Sequence, residues 1–308
     1  AEERWFPGVF KPPPFINLGT DVSPVPVTAR YDDIDLPEPW YKGSEAGIRI
    51  SKYIGGWDLS VSYFNGYDPM PLTEAPSDLT IELIDPLALD YALSLETTLV
   101  PVIHKMHVFG FDFTTTMGSF TVRGEYAYFK GKYYNRKFES VLEEEITPAR
   151  EREIIQEFLR NYMDSGGTLT RQTFHFDPEM TLRMDSMKYG LGLDYIYGDT
   201  SVSMQVIQEF IPDYDENKPV YFNKNGLDTL VTFLFKQFFL QNTLDLNLRV
   251  AYDIEFQDYI FKPSLRYSFT NSLQGTVGLI ILGGKYNDSL IGQYADNDEA
   301  YVQLRYSF

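Results

Sequence analysis

Cysteine is absent from all 308 residues, so disulfides, thiolate metal sites and cysteine nucleophiles are excluded. Histidine is scarce, with three copies. Basic residues are also in short supply: 26 Lys+Arg stand against 44 Asp+Glu, for a net charge of -18. Nucleic-acid binding needs clustered Lys and Arg, so it is not expected. No run comes near the roughly 18 uninterrupted apolar residues of a transmembrane helix. No signal peptide is legible, and Ala1 fits a position after a cleaved leader as well as an arbitrary start. Aromatic residues, by contrast, are abundant. There are 23 Tyr, 23 Phe and 3 Trp in a chain whose mean hydropathy is only -0.26. That combination suggests elements that are apolar on one side only.

The period of the pattern is two. From 244 to 256 the even positions read Leu244, Leu246, Leu248, Val250, Tyr252, Ile254 and Phe256, and the odd ones Asp245, Asn247, Arg249, Ala251, Asp253 and Glu255. Successive side chains of a strand leave opposite faces, so this alternation marks a β-strand. Globular strands run about 5–6 residues, whereas one tilted across a bilayer needs about 9–11. Eleven such segments are expected, near 45–54, 57–66, 102–116, 119–134, 186–197, 200–210, 227–240, 243–256, 259–269, 272–284 and 298–308. Tight turns (Gly55-Gly56, Met117-Gly118, Gly198-Asp199, Gln241-Asn242, Thr270-Asn271) alternate with longer links, the short one at Gln257-Asp258 excepted. Short turns at one end and long loops at the other characterise an outer-membrane barrel. A soluble sandwich also alternates, but its strands are shorter and its outer face polar.

The expected fold is therefore all-β: a transmembrane antiparallel up-and-down β-barrel, with long loops at 67–101 and 135–185. Closed bacterial barrels have an even strand count. About 12 strands are expected, the first supplied by the Pro-rich segment 1–44, from about Phe15 to Tyr31; the count is larger if upstream strands are missing or supplied elsewhere. The wet face carries the candidate lumen and selectivity residues Arg49, Arg123, Glu125, Asp194, Arg249, Asp253, Lys262 and Arg266. Its charges nearly balance, which leaves the acidic excess to the loops. Residues 67–101 hold seven acids and no base, and Asp32, Asp33, Asp35 and Glu38 add to them. An acidic rim concentrates cations.

One loop helix is expected, with Thr147 as N-cap and Pro148 at its first position, ending at Gly166-Gly167. Its stripe of Ile154, Ile155, Phe158, Leu159 and Tyr162 is the candidate loop constriction. The apolar stretch 79–95 (Leu79, Ile81, Leu83, Leu87, Leu89, Leu93, Leu95) must also bury itself, and is the second narrowing element.

Catalytic chemistry is poorly represented. His104 and His107 are three apart on an expected strand, so their side chains leave opposite faces, and His175 lies in a loop. No Ser follows a His by two positions, and there is no Asp-x-His pair. Asp213, Asp215 and Asn217 open like a calcium loop but lack its glycine and distal glutamate. No enzyme activity, cofactor or metal is expected.

The terminal run Tyr301-Val302-Gln303-Leu304-Arg305-Tyr306-Ser307-Phe308 is similar to the strand that the barrel assembly machinery reads, with Tyr306 and Phe308 as its assembly signal. Together with Glu45-Ala46-Gly47-Ile48-Arg49, Arg123-Gly124-Glu125-Tyr126-Ala127-Tyr128-Phe129, Gly192-Leu193-Asp194-Tyr195 and Lys262-Pro263-Ser264-Leu265-Arg266-Tyr267, it resembles a poorly characterised, porin-like family of Gram-negative outer-membrane barrels over about residues 40–308. The resemblance implies lipid or hydrophobic-compound export beside RND-type transporters, and relatives that are longer at the N-terminus. It supplies no catalytic residues.

The expected function is an outer-membrane channel for small or amphiphilic solutes. Its expected partners are outer-membrane lipid and lipopolysaccharide, the barrel assembly machinery, and a periplasmic or exporter protein. The alternative is a docking barrel for an exporter subunit, a lipoprotein or a multihaem cytochrome.

Overall fold

The structure is a computed structural model and describes residues 12–16, 24–32, 43–86, 88, 90–286 and 289–308. Asp33, Asp35, Glu38, Leu87 and Leu89, with much of the Pro-rich segment, lie outside them. The described chain begins with β1 (Phe15–Ile16) and β2 (Val25–Tyr31), followed by β3 (Ala46–Ile54) and β4 (Trp57–Tyr67). Three strands fill the first long link: β5 (Leu72–Glu74), β6 (Ser77–Asp85) and β7 (Asp90–Val102). β8 (Lys105–Met117) and β9 (Phe120–Asn135) come next, then α1 (Phe138–Glu145), α2 (Pro148–Asp164) and β10 (Arg171–Phe176). The remaining strands are β11 (Thr181–Tyr197), β12 (Thr200–Phe210), β13 (Leu227–Phe239), β14 (Leu244–Asp253), β15 (Asp258–Ser268), β16 (Leu273–Gly283) and β17 (Glu299–Tyr306).

Eleven strands form one continuous antiparallel wall, in the order β3-β4-β8-β9-β11-β12-β13-β14-β15-β16-β17. This is an up-and-down barrel wall, and its strands coincide with the eleven alternating segments to within a few residues. Gly55 and Gly56 both take positive φ (57° and 89°), which a tight hairpin turn following the right-handed strand twist requires. The same parity holds from strand to strand. Ile50 stands opposite Val61, Val61 opposite Phe111, Phe111 opposite Tyr126, and Tyr126 opposite Tyr189. All of these are exposed, as are Leu191, Val206, Leu265, Val277 and Leu304 on the same face. Exposed aromatics concentrate at the tight-turn end, among them Trp57, Phe120, Tyr197, Phe239, Tyr267 and Tyr306. A contiguous apolar surface of this extent is stable only against hydrocarbon or another protein.

In β9 the alternation changes phase. Gly131, at φ 70°, donates its N–H to the Asp185 carboxylate at 2.8 Å, and the register slips between Met184 and Ser186. This β-bulge turns Lys132 and Tyr134 onto the inner face, although Tyr126 and Tyr128 point outward.

The long links build a second unit. β1, β2, β7, β6 and β10 form a smaller sheet, with β5 paired to β7 and β2 running parallel to β7. Leu79, Ile81, Leu83, Leu93, Leu95 and Leu99 line one face of it and pack on Phe138, Val141 and Leu142 of α1 and Ile154 and Phe158 of α2. Thr147 caps α2 by accepting the Arg150 N–H at 3.2 Å, with Pro148 in the first turn.

Four expectations are corrected here. The stretch from Phe15 to Tyr31 supplies no wall strand, since its described residues pair within the smaller sheet; eleven wall strands are described, not 12. Because neighbours alternate in direction, β3 and β17 run the same way, and fully antiparallel closure requires an odd number of strands between them. The 67–101 link contains three strands, and the 135–185 link holds two α-helices rather than one. Finally, Ile154 and Phe158 (1% and 0% exposed) are buried in the core of the smaller unit with Ile155, Leu159 and Tyr162 against it, so their side chains do not line a passage.

Candidate functional site: the inner face and its cap

Inward charges are cross-braced. Arg49 donates from Nη2 to both oxygens of Asp112 (2.9 and 3.0 Å) and from Nε to Ser60 Oγ at 2.9 Å, bridging over β4. Arg123 Nη1 lies 3.3 Å from Asp194, and Arg266 pairs with Asp245, which also has Lys236 Nζ at 3.8 Å. Glu125 stands in register with Asp112 on one side and Gly190 on the other.

Other charges are not neutralised by their register partners. Arg249 stands directly opposite Lys262, and Asp253 directly opposite Asp258. The two pairs are four residues apart along β14, or about 13 Å. The inner face thus carries an acidic layer near the long-link end and a basic layer below it. In the acidic layer, oxygens of Asp228, Asp253 and Glu255 lie within 4.8 Å of one another, while Glu255 also accepts from the Thr229 N–H and hydroxyl at 2.6 and 3.0 Å.

The most constrained group is Glu209, which alternation alone did not single out. It accepts from Lys132 at 3.2 Å and from the Tyr134 hydroxyl at 2.8 Å, with Lys188 Nζ at 3.6 Å. Two of these donors face inward only because of the bulge, a local insertion that a strict period of two cannot register. The network borders a cavity of about 240 Å³, lined also by Met70, Leu72, Tyr221, Phe222 and Leu290 from the long links, which together with the smaller unit form the cap at this end of the wall.

The cap is tied to the wall where β9 ends. Asn135 exchanges hydrogen bonds with the Thr73 backbone at 2.8 and 2.7 Å, and the Tyr221 N–H donates to the Asn135 carbonyl at 2.9 Å. Arg136, buried, pairs with Glu144 of α1 and donates to the Glu179 carbonyl at 3.3 Å. That hydrogen bond from Arg136 holds the Glu144 carboxyl below the usual carboxylate range. Elsewhere on the cap, Lys224 and Lys285 pull the Tyr286 hydroxyl below its ordinary value.

The three histidines are dispersed. His107 shares a hydrogen bond with Tyr63 at 2.8 Å on the outer face, and His175 meets Asp78 at 2.9 Å on the smaller sheet. His104 stacks on Tyr133 with ring centroids 4.0 Å apart, and burial lowers its pKa. Asp215 accepts from the Asn217 N–H and side chain at 3.0 and 2.9 Å, as a solvated turn would. Tyr306 faces outward on β17 opposite Leu273, and Phe308 lies beyond the strand with its ring 6.2 Å from that of Tyr306.

Residues 29–308 match a family described as "Protein of unknown function (DUF1302)". No curated protein matches the chain. Among solved structures it is similar to OmpT (in-vitro folded), an outer membrane protein of Vibrio cholerae, at 9% identity and a TM-score of 0.40, over 85% of this chain and 64% of that one. The chain therefore spans less than two thirds of that protein's length.

Proposed function

The chain belongs to the DUF1302 family of proteins of unknown function, and we propose that it is a bacterial outer-membrane channel that passes small or amphiphilic solutes. One observation carries this reading. Over eleven neighbouring strands, one face is apolar and exposed while the other holds paired charges. A wall wet on one side and apolar on the other separates a polar space from hydrocarbon. Solutes would meet the cap first, then the acidic layer, then the basic layer of Arg249 and Lys262. Diffusion past charged rings sets selectivity without any catalytic step. Planar-bilayer recording tests it. Steady ion current from the purified protein is expected. Absence of current, both from the protein and from a variant lacking residues 138–164, overturns it.

The second reading is a docking barrel for an exporter subunit, a lipoprotein or a multihaem cytochrome. It is favoured by the cap, which builds its own sheet and presents Asp78, Glu82 and Glu96 on the face away from its core. Purification under mild detergent, followed by mass spectrometry, decides it: a barrel that always purifies alone is not a docking barrel.

A further inference from the structure

The outer face of the wall carries five charged residues among the described strands: Lys52, Lys105, Lys130, Arg183 and Asp185. Four are bases, in a chain whose net charge is -18. Three of those bases share one place. Lys105, Lys130 and Arg183 lie at the long-link ends of β8, β9 and β11, which are consecutive in the wall.

Their positions are contiguous. Lys130 is in register with His107, two residues from Lys105. The Arg183 guanidinium lies over Gly131, next to Lys130, so close that a Cβ there would meet its Nη2 at 2.6 Å. Arg183 also stacks over Tyr133, its Cζ 6.0 Å from the ring centroid. The lone acid, Asp185, is occupied by the Tyr128 hydroxyl at 2.5 Å and the Gly131 N–H at 2.8 Å. The side chains of Lys130 and Arg183 are exposed and make no hydrogen bond or ion pair among the described residues, although both lie near enough to Asp185 to act on it electrostatically.

Their height is informative. Lys130 lies ten residues along β9 from Phe120, the first residue of the strand, about 33 Å along the strand and about 25 Å along the membrane normal at a tilt of about 40°, which is the height of the apolar band of such barrels. The bases therefore mark the band's outer edge, with Phe109, Phe111 and Tyr126 directly below them.

We propose that Lys105, Lys130 and Arg183 form a binding site for the phosphorylated headgroup of an outer-leaflet lipid, whose acyl chains lie against the apolar band beneath. Guanidinium and ammonium groups recognise phosphate through charge-assisted hydrogen bonds. Cations placed at the edge of an apolar surface select a ligand that carries phosphate above hydrocarbon, and committing to a lipid rests on the membrane placement proposed above.

The test uses the full chain in neutral-detergent micelles doped with a bisphosphorylated glycolipid, the same lipid with its phosphates removed, or inorganic phosphate. The wild type is expected to retain the phosphorylated lipid at least about tenfold more tightly than the dephosphorylated one (about 1.4 kcal/mol). K105Q/K130Q/R183Q is expected to lose that preference, whereas K52Q keeps it. Inorganic phosphate at millimolar concentration is expected not to compete. Equal retention of both lipids by the wild type overturns the proposal even if the triple variant does not fold, as does a preference that survives in the triple variant. Competition by inorganic phosphate reassigns the cluster to a soluble anion and equally overturns it. Flotation with neutral-lipid vesicles separates the two readings: a wild type that does not float defeats the membrane placement, whereas one that floats without discriminating phosphate defeats this inference alone.

Discussion

Arg136 reaches from the end of β9 to the Glu144 carboxylate in α1, and this pair fastens the cap to the rim of the wall. Arg136 is buried while the Glu144 side chain is half exposed, so water screens the pair and its worth is at most about 1 kcal/mol. The Glu144 pKa is lowered in the folded chain by the Arg136 hydrogen bond. A lowered carboxyl pKa means that the contribution is complete above the unfolded value, near about 4.3, and is lost as pH falls through the still lower folded value. Amide protection in residues 138–145, corrected for the intrinsic pH dependence of exchange, is therefore expected to be flat from neutral pH down to about 5 and to fall only in stronger acid. E144Q is expected to remove that acid step. A fall centred near neutrality would assign the docking to another group.

Phe158 is fully buried against the smaller sheet. Phe158→Ala is expected to cost the cap about 3–5 kcal/mol and to expose α2 to limited proteolysis. The wall should keep its heat-modifiable mobility in gels, because among the described residues the cluster around that side chain includes none from a wall strand. Loss of both together would show that cap and wall fold as one unit.

Gly131 holds a positive φ that a side chain adopts at a cost of about 1–2 kcal/mol, and the Arg183 guanidinium occupies the space a methyl would need. Gly131→Ala is expected to lower the unfolding midpoint and to loosen Lys132 and Tyr134 from Glu209. A melt that matches the wild type would mean that the bulge is not needed to set the inner face.

Val206 and Gln205 are adjacent in β12 and belong to opposite faces. Val206→Arg is expected to cost about 2–4 kcal/mol in folding into lipid vesicles, the range for a base facing lipid at mid-depth. Gln205→Arg should be nearly neutral. Equal costs would mean that the apolar face does not contact hydrocarbon.

Arg249 and Lys262 stand in register with no acid between them. If solutes pass this layer, Arg249→Glu is expected to shift the reversal potential in a salt gradient toward cation selectivity, with a permeability ratio changed several-fold. An unchanged ratio would place the layer outside the conducting path.

Much of the wall was legible because each strand carries its own two-faced alternation: thirteen residues from Leu244 already separate a dry side from a wet one. The cap was less legible. Leu79, Ile81 and Leu83, and Leu93, Leu95 and Leu99, also alternate, but acids between them and the apparent loop context made the stretch look like a constriction rather than the hairpin of β6 and β7. α1 has only eight residues, too few for its Phe138, Val141 and Leu142 stripe to stand out by period.

By itself the sequence determined what is local: strand period, the face each side chain takes, tight turns at glycine, and the capped start of α2. Each follows from steric preferences within a few residues. Tertiary structure decided what depends on neighbours distant in the chain. It placed Phe15–Ile16 and Val25–Tyr31 in the smaller sheet, since a strand's partner is chosen by exposed backbone groups elsewhere. Through one bulge it turned Lys132 and Tyr134 toward Glu209, and through register it set Arg249 beside Lys262. Pairing and register are properties of two strands at once, so neither strand's sequence contains them.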